Sequence, residues 1–69
     1  MRIILRNYKT RQYLQDFGRW TDNPNSAMAF EHSRQAASFA HEKGIKHVEI
    51  LLAFEDPRYN FRLPLRATG

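Results

Sequence analysis

A chain of 69 residues is too short for two hydrophobic cores, and 42% apolar with 13% aromatic side chains is too rich for a disordered polyelectrolyte. With no cysteine, disulfides and thiolate metal sites are excluded, which gives weight to self-association as a support for so small a domain and fits a reducing, cytoplasmic setting. The net charge of +4 is uneven: Arg2, Arg6, Lys9, Arg11 and Arg19 meet only Asp16, an acidic middle follows, and Arg58, Arg62 and Arg66 close the chain.

Ile3 and Leu5 alternate with Arg2, Ile4 and Arg6, the period of a strand with one buried face. Residues 7–11 fit a hairpin loop that leads into a second strand at Gln12, Tyr13 and Leu14. Asp16-Phe17-Gly18-Arg19 signals a turn, because glycine tolerates positive φ, and Trp20-Thr21 suits a short third strand. Phe17 and Trp20 are both expected in the core, since large aromatics in a small domain serve packing first. Asp22-Asn23-Pro24 reads as a helix start, with an Asx cap and a proline where the backbone donor has no partner. It predicts a short helical turn over residues 24–30 with Ala27 and Phe30 facing the core together.

The main helix is expected over residues 34–43: Ser33 is a suitable cap, Ala36, Phe39 and Ala40 form a stripe, and Gly44 stands at the left-handed C-terminal position. Period two then returns, with Val48, Ile50, Leu52 and Phe54 opposed to His47, Glu49, Leu51 and Ala53. The far half of this long strand is apolar on both faces, so something must cover its second face. Asp56-Pro57 ends it, and Tyr59, Phe61 and Leu63 alternate with Arg58, Asn60 and Arg62 as an edge strand closing near Pro64. The order predicts a two-layer α+β domain over residues 1–64, a helix and a helical turn on one face of a mostly antiparallel sheet of three to four strands. The second strand, the first and the long one are expected as neighbours in that order, with residues 65–69 frayed.

Tyr13-Leu14, Gly18-Arg19-Trp20-Thr21, Ala27 with Phe30 three positions on, and Ala36 form a succession that resembles short uncharacterised bacterial and phage proteins with a small strand-strand-helix-strand domain. The likeness spans residues 1–54 and implies a fold; it implies no activity, substrate or functional residue.

Two function classes remain. If Ile3, Leu5 and Leu14 face the helix, the opposite face carries Ile4, Tyr13, Leu51 and Ala53 within a rim of arginines, a composition typical of protein interfaces. Either a partner or second copy docks on this face or on the tail's edge, or the tail with Tyr59, Phe61, Leu63 and Leu65 folds across the face. The alternative is nucleic-acid binding by Arg2, Arg6, Tyr8, Lys9, Arg11, Tyr13 and Arg19, whose cations suit phosphates and whose rings suit unpaired bases. An enzyme is not expected: there is no Cys nucleophile and no Gly-rich phosphate loop. No cofactor or metal is expected either, because His32, His41 and His47 lack the spacing that aims two imidazoles at one ion. No run approaches the roughly 18 apolar residues of a membrane-spanning helix.

Overall fold

A computed structural model of the chain describes residues 1–65. Five strands form one antiparallel sheet: β1 (Arg2–Asn7), β2 (Tyr13–Asp16), β3 (Arg19–Thr21), β4 (Val48–Ala53) and β5 (Phe61–Pro64), in the order β3-β2-β1-β4-β5. The expected neighbours β2, β1 and β4 stand together at its centre. The count exceeds the expected three to four because the short β3 and the tail strand β5 both pair fully into the sheet.

Asn7 builds the β1–β2 loop: its Oδ1 accepts from the backbone N–H groups of Lys9 at 2.8 Å and Thr10 at 3.0 Å, an Asx turn. Arg11 closes the loop at φ 66°, where a glycine would be easier. Gly18 turns β2 into β3 at φ 82° as its sequence position demands, but Phe17 beside it is 60% exposed rather than core. A tight turn leaves its tip residue nothing to pack beneath, and Phe17 instead meets the Lys43 ammonium 5.5 Å from its ring. Trp20 packs partly against the main core as expected.

The helical turn expected over 24–30 contracts to a 3-10 turn, Pro24–Ser26, capped by the Asn23 side chain. It also lies on the other face. Ala27 packs with Ile4 and Leu51, whereas Met28 and Phe30 pack with the core beneath the helix, so Ala27 and Phe30 do not face one core. The chain passes from face to face through a gap between β1 and β2, which pair only at Arg6 and Tyr13. The backbone groups freed there are satisfied by the crossing segment itself: Met28 N–H donates to Leu14 O at 2.9 Å and Phe30 N–H to Ile3 O at 2.8 Å.

The helix α1 (Ser33–Glu42) starts and ends one residue before the expected 34–43. Its N-cap is His32 without a side-chain cap bond, so Ser33 is its first residue and not its cap. At the other end Gly44, at φ 63°, donates to His41 O while Ile45 N–H reaches back to Ala40 O at 2.9 Å, a Schellman closure. Ala36 and Ala40 sit on Ile3, Leu5, Leu14, Val48 and Ile50, and small alanines let the helix lie close to the sheet.

Beyond β4 the 3-10 turn Pro57–Tyr59 carries the chain back as β5, which pairs Ile50 with Leu63 and Leu52 with Phe61. The tail is thus an edge strand and does not fold across the face opposite the helix. Tyr8 N–H bonds His47 O just before β4, so by antiparallel alternation Arg62 and Pro64 turn their backbone groups outward. Pro64 therefore costs no ladder bond and blunts the free edge. Leu65 packs on the main core, and residues 66–69 of the expected frayed end lie outside the described residues.

Candidate functional site

The seven residues read as one binding surface divide into three groups. Arg2 and Arg6 are committed inside the fold. The half-buried Arg2 guanidinium donates to Pro24 O and Ala27 O and straps the crossing segment over the sheet. Arg6 pairs with Glu49, directly opposite on β4, at 2.7 Å, with the side chains only 17% and 13% exposed. Tyr13 is half-buried against Ile4, Ala27 and Leu51. The face opposite the helix is therefore closed by its own chain: Ile4 is fully buried and Leu51 only 5% exposed. The sequence called for a cover there, either a partner or second copy or the folded-back tail; residues 24–27 of the chain supply it instead.

The remaining four stay at the surface in two places. Tyr8, Lys9 and Arg11 occupy the β1–β2 loop, while Arg19 lies past the β2–β3 turn at the other end of β2. Lys9, Arg11 and Arg19 are exposed, with no side-chain hydrogen bond or ion pair among the described residues. Tyr8 is held edge-on to His47, ring centroids 5.9 Å apart, with its hydroxyl 3.4 Å from Nδ1.

Two features were not legible in the sequence. The first is an uncovered apolar end on the helix-bearing face. Pairing sets Ile3, Leu52 and Phe61 in one row across β1, β4 and β5, and the next row outward begins with Met1 and Phe54. Met1 is 68%, Phe54 40%, Tyr59 65% and Phe61 58% exposed. Summed over these side chains, on the order of 400 Å² of apolar surface is open to water, about the size of the largest apolar patch on an ordinary monomer, which is often functional. Helix geometry explains the gap: ten residues span about 15 Å, and six strand residues about 20 Å, so α1 shields only the part of β4 nearer Val48.

Asp56 and Arg58 fix the loop at this end. The Asp56 carboxylate accepts from Arg58 N–H at 3.0 Å and pairs with the guanidinium at 2.6 Å. The side-chain bond first, and the backbone bond second, hold Asp56 below its ordinary value, and the same pairing holds Arg58 above its own. The Asn60 Oδ1 accepts from Phe54 N–H at 2.8 Å and ties the loop shut.

The second feature is a groove of about 660 Å³ between the C-terminal half of α1 and the start of β4. Ala40, Val48 and Leu65 contribute apolar lining, and Tyr8, Ser38, His41, Lys46 and His47 bring polar atoms to it. Its parts are scattered in sequence, which is why no motif announces it. Among the described residues no three His, Cys, Asp or Glu side chains converge as metal ligands, and no helix is long and apolar enough to cross a membrane.

Comparison with family models, with curated proteins and with solved structures gave no match.

Proposed function

We propose that this chain is a small non-enzymatic interaction module that associates with a second copy of itself through Met1, Leu52, Phe54, Tyr59 and Phe61. The carrying observation is the row of exposed aromatic residues beyond the reach of α1, on a sheet whose opposite face is closed internally. Met and aromatic residues are enriched at interfaces, and a domain without disulfides gains most from extra burial. The rim carries both signs, Glu55 and Asp56 together with Arg58, so a second copy can set its Arg58 against Glu55. The patch is smaller than the roughly 800 Å² per partner of a standard interface, so the dimer is weak and transient. The cytoplasmic setting suggested by the cysteine-free composition, and the kinship with short bacterial and phage proteins, belong to the same proposal.

Light scattering over a concentration series, on wild type and on Phe54→Ser with Phe61→Ser, tests it. Mass rising with concentration in wild type alone is expected. A strict monomer at millimolar concentration, or equal association by the variant, overturns the self-association reading.

Nucleic-acid binding keeps one supporting observation, the exposed cations Lys9 and Arg11 beside the half-exposed Tyr8. It loses Arg2, Arg6 and Tyr13 to the fold, and Arg19 to the far end of the sheet. Affinity for an oligonucleotide that did not fall with salt would count against it, since phosphate contacts release counterions.

A further inference from the structure

The geometry points to a nucleotide-phosphate site in the groove between α1 and β4, with Lys46, His41 and Ser38 meeting the phosphate and the Tyr8 ring flanking the base. This site deepens the nucleic-acid reading, with which it shares Tyr8 alone, so it can stand where an extended strand fails to bind.

Four observations carry it. First, the groove is about 660 Å³ and widely open to solvent, and its lining combines apolar residues with a few polar ones, as small-ligand sites do. Second, Ser38, His41 and Lys46 form no side-chain hydrogen bond or ion pair among the described residues, so their donors are available. Third, the lining holds one permanent cation and two imidazoles, and no carboxylate among the described residues, which favours an anion. Three of the last four carbonyls of α1, which would repel one, are occupied: Phe39 O by Lys43 N–H, Ala40 O by Ile45 N–H and His41 O by Gly44 N–H.

The fourth is the backbone of His47. It stands at φ 65°, a conformation that glycine adopts without steric cost. A histidine held there brings an imidazole to the groove wall that glycine would not supply. Its carbonyl is anchored by Tyr8 N–H at 3.0 Å and its ring by the Tyr8 hydroxyl, so both rings are positioned before any ligand arrives. With Tyr8 half-exposed, part of its ring remains available for stacking against a base.

The phosphate source can be a free nucleotide or the 5′ end of a strand, and the experiment separates them. Amide-resolved NMR is run with adenosine 5′-monophosphate, inorganic phosphate, and a short oligothymidylate with and without a 5′-phosphate. Saturable shifts at Ser38, His41, Lys46 and His47 are expected with the mononucleotide, with the phosphorylated strand, or with both. Binding weakens by about tenfold in Lys46→Gln, as for the loss of one charged hydrogen bond. Weakening also follows in His47→Gly, which relaxes the backbone and retains the fold, while Arg19→Gln leaves binding unchanged. The mononucleotide binds more tightly than inorganic phosphate, and Tyr8→Ala abolishes that difference. Absence of groove shifts with both the mononucleotide at millimolar concentration and the phosphorylated strand, or shifts indifferent to Lys46→Gln and His47→Gly, overturns the site. Shifts confined to Lys9 and Arg11 with either oligonucleotide overturn it too, while leaving surface binding of strands intact. Groove shifts with the mononucleotide and none with either strand would instead remove the extended-strand reading and keep the site.

Discussion

The two ends of the helix-bearing sheet face share one residue pattern and differ in what lies over them. Near the loop end, Leu5, Val48 and Ile50 lie under Ala36 and Ala40 and are almost completely buried. At the other end, Phe54 and Phe61 continue the same alternation and remain 40% and 58% exposed. Alternation therefore specifies which face a side chain takes, and the length of the covering helix decides whether that face is a core or a surface.

The largest expected effect separates these ends by stability. Leu5→Ala should cost about 2–5 kcal/mol, since it opens a cavity beneath α1. Phe61→Ala should change stability by only about 0.5 kcal/mol, as for other surface positions. Urea unfolding of both variants measures the contrast, and equal losses would show that the exposed end is core after all.

Next comes the closed opposite face, where Arg6→Ala should cost about 1–3 kcal/mol because Glu49 is left with its charge largely desolvated. The double variant Arg6→Ala with Glu49→Ala should recover part of that loss. A double variant as unstable as the sum of the singles would mean the pair contributes through packing alone.

Arg11→Gly at φ 66° should instead stabilise the fold, by about 0.5–1 kcal/mol, by relieving a strained backbone. An unchanged urea midpoint would indicate that the Asx turn at Asn7 already compensates the strain.

The smallest effect concerns acid. Asp56 is held below its ordinary value, so its contribution is fully present above that value and is lost as pH falls through the lower, folded value. The amide signals of Arg58 and Tyr59 should titrate with a midpoint below 3.8, and in Arg58→Ala the Asp56 midpoint should rise. Coincident midpoints in both proteins would show that the ion pair does not persist in solution.

Much of the fold was legible because each signal had a local cause. Asn7, Gly18 and Gly44 marked turns through side-chain acceptors or positive φ, and the alternation of Val48 to Phe54 marked a strand. The cover over Ile4 and Leu51 was not legible, since residues 24–27 reach it by passing between two strands that pattern alone would pair throughout. The candidate surface fared worse: Arg2 and Arg6 look like free cations in a sequence, and only tertiary structure shows the carbonyls and the carboxylate that occupy them. Neither the uncovered end nor the groove has a sequence signature, because both depend on where α1 stops.

A dilution series followed by amide-resolved NMR, from millimolar to micromolar protein, separates self-association through the exposed aromatic end from an opening of the closed face. Concentration-dependent shifts are expected at residues 1, 52, 54 and 59–61, with constant shifts at Ile4, Tyr13 and Leu51. Shifts at Ile4, Tyr13 and Leu51 with none at the exposed aromatic end would contradict it, and would make the internally closed face the one that opens to a partner.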